Sequence, residues 1–504
     1  MGFFTRSPLF NVMKRRSRSL VNAFGLAIIA VWIILILLLV KKVCWEEGTG
    51  IRIASLKKLD LELTPHESWF AIYHGRKKIG YTYSILRQGK NRYEIEEHLF
   101  MRLRTMGLVQ TVAARTEAFL NPDSSLDSFR FGLKSGTIEF EARGHVKDNR
   151  LILYTGSGPN LQKTVILLAE KPFLPTGVWS YLSRSTLRVG AHYRFVIFDP
   201  MVLSERPFDL YVEAFETIPI DGKTYEAFKV RTECMGLNLY TWIGTDGERL
   251  KEEGIMGLSI VKTSKELATS GIVKDAGVDL VEAVSIPSNV TLEPNKIVYL
   301  KVRVSGIDLE GLDLDTGRQH IEGADLTIRK EALPLSYTEE GLHVGKDLSE
   351  YLKPSLLVQS NHPEIRSMAS KIVGQTKGVA ASRKILEWVH KNLIKRPTLS
   401  IPTALDTLER RTGDCNEHAV LLAALLRAIG IPAKVCTGLV YSKGRFYYHA
   451  WNELYLGDWI TADPLMGQMP ADVTHIKFVE GEAARQADIA RIIGRIKLTV
   501  LESG

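Results

Sequence analysis

The sequence predicts an α+β protein in three unequal parts: one N-terminal membrane-spanning helix, a large antiparallel β-sheet region, and a C-terminal domain where helices precede strands. Three observations carry this. Residues 20–40 form a run of twenty-one residues without a charge, long enough to cross a hydrocarbon layer of about 30 Å as a helix. From about 51 to 267 apolar and polar residues alternate with period two between turn residues, the mark of half-buried strands. From 348 onward the apolar spacing changes to three and four, the mark of amphipathic helices.

Residues 1–19 hold Arg6, Lys14, Arg15, Arg16 and Arg18 and no acid, against Lys41 and Lys42 after the span, where Glu46 and Glu47 also stand. This charge bias predicts an uncleaved signal anchor at 20–42 with a cytoplasmic basic tail. The bulk of the chain is then extracytoplasmic, in the periplasm of a bacterium with two membranes. The formal charge of +8 is spent partly on that tail. The remaining basic residues are scattered and no phosphate-binding glycine loop is present, so no nucleic-acid partner is expected. Four cysteines in 504 residues make no disulfide framework, and Cys436 reads as a buried free thiol.

In the β region, expected at 51–270, Tyr93, Ile95, Leu99, Met101 and Leu103 fall on one face of a strand, with Glu94, Glu96, His98, Arg102 and Arg104 on the other. Similar runs recur, with turns at Ser135-Gly136, Asp221-Gly222 and Asp246-Gly247, and a curved half-barrel is expected. Residues 275–340 read as a small β connector, with Val298, Leu300, Val302 and Val304 alternating with mostly charged neighbours. The C-terminal domain is expected at 348–504. Ile365, Met368, Ala369 and Ile372, then Ile385, Leu386, Trp388, Val389 and Leu393, mark two helices, and Ala404, Leu405 and Leu408 a third.

The chemistry concentrates in two stretches. Gly413-Asp414-Cys415-Asn416-Glu417-His418 opens an apolar helix, with Asp414 as N-cap, Glu417 closing a capping box, and Gly430 and Pro432 ending it. Cys415 therefore sits in the first turn. The helix dipole favours its thiolate, but Asp414 and Glu417 oppose this, so a second group must take the proton. Downstream, two aromatic-rich runs flank Gly457-Asp458, a hairpin signal, with His449 on the first run and Asp463 ending the second. A nucleophilic Cys, a His and an orienting carboxylate are the parts of nucleophilic catalysis.

At these residues the chain resembles the transglutaminase-like family of the papain-like cysteine superfamily. The likeness rests on Gly-Asp-Cys opening the helix, Arg427-Ala-Ile-Gly-Ile-Pro432 closing it, His449-Ala450-Trp451, and Asp463-Pro464 after a tryptophan strand, over about 348 to 480. It implies a papain-like fold, with Cys415 as nucleophile, His449 as base and acid, and Asp463 as orienting carboxylate. A weaker likeness to periplasmic lipid-shielding β domains rests on Gly75, Lys78–Gly80 and Trp242–Gly247.

The hairpin register tests the triad. A two-residue Gly457-Asp458 loop would put His449 and Asp463 on opposite faces, whereas an odd-numbered loop makes them diagonal neighbours on one face. The longer loop is expected. His418 and His475 read as structural or surface residues; with no HExxH or CxxC spacing, neither a metal nor a cofactor is expected. The function expected is cleavage or transfer of acyl groups from peptide or protein amides in the cell envelope through a Cys415 thioester, with hydrolysis favoured. The alternative is a non-catalytic envelope binding or scaffold protein that works through its β-sheet.

Overall fold

The computed structural model describes residues 51–52 and 65–504, except 137, 157–160, 184–186, 201–202, 235–236, 255–256, 274–278, 334–345, 399–400, 402, 482–484 and 486. The expected basic tail and membrane anchor lie outside these residues. Among the described residues no helix is long and apolar enough to cross a membrane.

The period-two segments form one fifteen-stranded sheet built from two antiparallel meanders, with Ile51–Arg52 added in parallel beside His192–Asp199. The first runs from His66–His74 to Gln162–Leu167, the second from His192–Asp199 to Leu258–Thr263. The last strand of the second pairs with the first strand of the other, Val261 opposite Ala71, which joins the meanders into a single surface. Their alternation is that of a sheet packed on one face: Tyr93, Ile95 and Leu103 are buried in the main core.

One short helix, Pro175–Leu182, interrupts the strands. Proline begins it, where a missing N–H costs nothing. Val178, Tyr181 and Leu182 pack on Phe195, Phe208 and Leu210. Gly177 allows the close approach to the opposite wall, since a Cβ there would lie 2.9 Å from the Ser124 carbonyl oxygen. The helix is thus packed against strands of both meanders.

Between them lies a cavity of about 510 Å³ lined by Phe70, Leu86, Ile95, Trp179, Glu97 and Arg249. Glu97 continues the otherwise apolar face of its strand. Burial pushes its acid up to about 7, against the attraction of Arg249. The folded chain then holds this proton more tightly than the unfolded one, so Glu97 lowers stability as pH rises from about 4.5 to about 7. Glu97→Gln is expected to raise the unfolding free energy at pH 8 by about 1–2 kcal/mol, allowing for partial solvation in the cavity, and to change little at pH 4. Denaturant titrations at both pH values check this, and equal effects at both would refute it.

The segment expected as a small β connector shares a sheet and a core with the C-terminal domain. Tyr299–Ser305, Gln319–Glu322 and Asp325–Arg329 form a four-stranded sheet whose fourth member is Lys497–Ser503, the strand farthest along the chain. Its core, with Leu300, Val302, Leu326 and Ile328, is shared with Leu439, Phe446, Ile476 and Phe478. The boundary expected near 340 thus cuts through one hydrophobic core, because half-buried Lys301 and exposed Arg303 disguise strands whose other face is fully buried.

The C-terminal domain has the expected helices, Pro363–Val373, Gly378–Asn392 and Ala404–Arg410, gathered around a fourth, Cys415–Ala428. Against it stands a second mixed-length sheet of Ala433–Ser442, Arg445–Tyr455, Trp459–Ala462 and Ile476–Glu480, with Ile286–Pro287 at one edge. The large sheet reaches this domain through Gln110, whose Nε2 donates to the Pro397 carbonyl at 2.6 Å, and through Arg410, which donates to the Glu139 carbonyl at 2.9 Å.

Candidate active site

The helix Cys415–Ala428 is buried nearly all round: Ala419 to Leu426 are at most 1% exposed. Each buried leucine contributes about 1.5–3 kcal/mol, so the helix is held by packing. Its start is fixed by a capping box. Asp414 Oδ1 accepts from the Asn416 N–H at 3.0 Å, and Glu417 Oε2 accepts from the Asp414 N–H at 2.9 Å. Gly413 is required here because a Cβ would lie 2.3 Å from that of Glu417. Thr398, one residue beyond the contact with the large sheet, also ties in, its hydroxyl donating to Glu417 Oε1 at 2.9 Å.

Cys415 is half-buried at this start. Burial, then the charge of Asp414, pushes its thiol well above the ordinary range, while the backbone N–H of Ala450 pulls the other way. At neutral pH the group is a thiol, so any nucleophilic role needs a base beside it.

The strand Arg445–Tyr455 pairs along its whole length with Ala433–Ser442, His449 lying opposite Gly438. Its other edge is paired at Arg445 and Phe446 by Ile286–Pro287, and from Asn452 onward by Trp459–Ala462. Among the described residues no strand pairs with the stretch 447–451 on that side. Here the Ala450 N–H meets the Cys415 thiol.

The hairpin has the odd loop. Tyr455 pairs with Trp459 and Asn452 with Ala462, leaving Leu456-Gly457-Asp458 as a three-residue connection. Gly457 takes φ +98° within it, a conformation that favours glycine. His449 and Asp463 consequently share a face, and His449 Nε2 lies 2.7 Å from Asp463 Oδ2. With Nε2 so engaged, Nδ1 is the ring nitrogen left for a substrate or thiol proton. Asp463 is fully buried and His449 nearly so. Burial alone would raise the Asp463 acid, but His449 and His475 hold it far below the carboxylate range. Its Oδ1 accepts from the Met466 N–H at 2.8 Å.

His475, read from sequence as structural or surface, is buried and shares that carboxylate, with Nε2 at 3.0 Å from Asp463 Oδ2. Its Nδ1 lies 3.2 Å from the Asp472 carbonyl and 3.3 Å from the Asp472 carboxylate. Burial would lower its pKa, but the two acids outweigh this and hold it up to about 9. Trp451 closes the group off, stacked on His449 at 6.2 Å and edge-on to His475 at 5.3 Å between ring centroids. His418 is also buried, its Nδ1 2.6 Å from the Asp414 carbonyl, and belongs to the helix start.

Donor atoms of His449, Asp463 and His475 all lie within 4.8 Å of one another, near enough to surround a small cation. At 2.7 and 3.0 Å the two imidazoles are in direct hydrogen bonding with the carboxylate, and a nitrogen that carries the proton of such a bond has no lone pair for a metal. The arrangement fits proton chemistry.

The turn bearing Asp472 and His475 is gripped from the small sheet. Arg318 is buried and donates to the Ala471 carbonyl at 2.6 Å, the Asp472 carbonyl at 2.7 Å and the His475 carbonyl at 3.3 Å. It pairs with Glu331 at 2.9 Å, and Glu331 in turn accepts from the Thr461 N–H at 2.5 Å, two residues before Asp463. Farther along the same strands, Lys434 and Lys477 interleave with Glu453 and Glu480 at 2.6–3.1 Å, all but Glu480 nearly inaccessible. Neither feature carries a sequence signal: both pairings join distant segments.

Residues 366–464 match the transglutaminase-like superfamily. Among solved structures the chain is similar to a candidate cysteine protease from Cytophaga hutchinsonii at 18% identity, covering 41% of this chain and 86% of that one with a TM-score of 0.26. It is similar to a β-barrel-like protein of a domain of unknown function from Brucella abortus at 13% identity, covering 40% and 96% with a TM-score of 0.31. A candidate protease from Parabacteroides distasonis shares 11% identity over 74% and 64%, with a TM-score of 0.19. No curated protein matches the chain.

Proposed function

We propose that the transglutaminase-like domain at residues 366–464 is the catalytic part of a membrane-anchored, extracytoplasmic cysteine enzyme that hydrolyses peptide or protein amides. The observation that carries this reading is the buried His449–Asp463 pair at 2.7 Å, set where the Ala450 N–H reaches the Cys415 thiol. His449 takes the thiol proton while the sulfur bonds to the amide carbon. The C–N bond then breaks, His449 returns the proton to the leaving amine, and an acyl-thioester remains. Water, deprotonated by the same imidazole, displaces the thiol and releases the acid. An amine in place of water would give transfer; hydrolysis is favoured because water is always at hand and no acceptor site is evident. The Cys415 N–H, at the helix start, is the natural donor to the oxyanion.

The full-length protein treated with a chloroacetamide electrophile at neutral pH is expected to be modified at Cys415 ahead of Cys436, which is fully buried. Envelope preparations with the wild-type chain and with Cys415→Ala should differ in their cleaved proteins. A folded protein whose Cys415 reacts no faster than an ordinary thiol would instead support the scaffold reading.

A further inference from the structure

We propose that His475 is a positioning residue of this site: a buried cation that shares the Asp463 carboxylate with His449 and sets the pH at which His449 becomes a base. The inference rests on the reading of Cys415 and His449 given above.

The geometry argues the charge. Nε2 faces a carboxylate oxygen at 3.0 Å and Nδ1 faces a carbonyl and a carboxylate at 3.2 and 3.3 Å. All three partners accept and none donates, so both ring nitrogens must carry hydrogen, which makes the ring an imidazolium. The raised pKa of about 9 agrees with this. Asp472 is held in place to receive it, its Oδ1 also accepting from the Thr474 N–H at 2.9 Å and hydroxyl at 2.6 Å. Arg318 fixes the backbone of the same turn.

The consequence falls on His449. A lone buried carboxylate at 2.7 Å stabilises an imidazolium over the neutral ring. A second cation, with ring centroids 5.7 Å apart, offsets that pull. Among the described residues the ionisable groups near the pair include Cys415, Asp414, Glu417 and His418 on the cysteine helix, Asp472 on the turn, and His390, whose Nδ1 lies 3.0 Å from the Pro464 carbonyl, with Lys395 beside it and acting on His418. The acids on the helix act with Asp463, the Asp414 carboxyl itself being pushed well above the usual range by burial and by Glu417, so His475 is the group in contact with Asp463 that offsets the negative charge.

The test is the pH dependence of Cys415 alkylation by chloroacetamide in the full-length protein, which needs no knowledge of the substrate. In His475→Gln the amide can still donate to Asp463 but carries no charge. The acid limb of the profile is expected to move upward by about one to two pH units, the size of a unit charge at this separation in a moderately polar interior. Asp472→Asn, which leaves His475 with one acid instead of two, is expected to shift it the same way by less. This milder variant decides the matter if His475→Gln does not fold. A uniform loss of rate with the limb unmoved in the folded variants would make His475 merely structural and overturn the inference. A wild-type Cys415 without enhanced reactivity would overturn the reading beneath it, a different result from the first.

Discussion

Replacing His449 with alanine is expected to slow Cys415 alkylation and amide cleavage by about 10²–10⁴-fold, the usual contribution of a positioned acid–base group. The size follows from the state of the thiol. Burial and Asp414 keep Cys415 protonated, so without the imidazole neither a thiolate nor a proton acceptor is at hand. Asp463→Asn should fall in the same direction, since the amide can orient the ring but cannot stabilise its charged form. Single-turnover alkylation checks both, beside thermal unfolding to show that the variants fold. A His449→Ala protein reacting at the wild-type rate would end the proton-transfer account.

The largest expected loss of stability is at Glu453. Its carboxylate lies 3.1 Å from the Lys434 ammonium and 2.9 Å from that of Lys477, all three nearly inaccessible to water. Glu453→Ala leaves two buried cations with Glu480 alone, at an expected cost of about 3–5 kcal/mol. Removing charge of both signs, as in Glu453→Met with Lys477→Met, should recover much of that, because a well-packed apolar pair incurs no desolvation penalty. Urea unfolding followed by tryptophan fluorescence reads this directly, since Trp451 and Trp459 lie in the same sheet. A loss below about 1 kcal/mol in the single variant would mean that water reaches the cluster.

The parts legible in the sequence obey local rules. The capping box at Asp414 and Glu417 is a spacing of three. The helices at 363–373 and 378–392 show their buried faces at spacings of three and four. The hairpin was open to reasoning because strand geometry has only two parities, and just one lets His449 and Asp463 meet. What escaped was set by partners far along the chain. His475 stands in a turn without periodicity, and that turn's backbone is held by Arg318, 157 residues earlier. Lys477 and Glu453 look like solvent-facing charges on their strands, and only the register between strands reveals that they face each other indoors. Glu97 breaks an apolar face, but the cavity that admits it lies between the sheet and the Pro175–Leu182 helix, segments far apart in the chain.

The grip of Arg318 on the Asp472–His475 turn has a consequence in time. Contacts spanning some 150 residues close large loops and form late in folding. The cysteine helix and the histidine strand are neighbours in sequence and can find each other early, whereas the brace from Arg318 to the Asp472–His475 turn closes only when the small sheet docks.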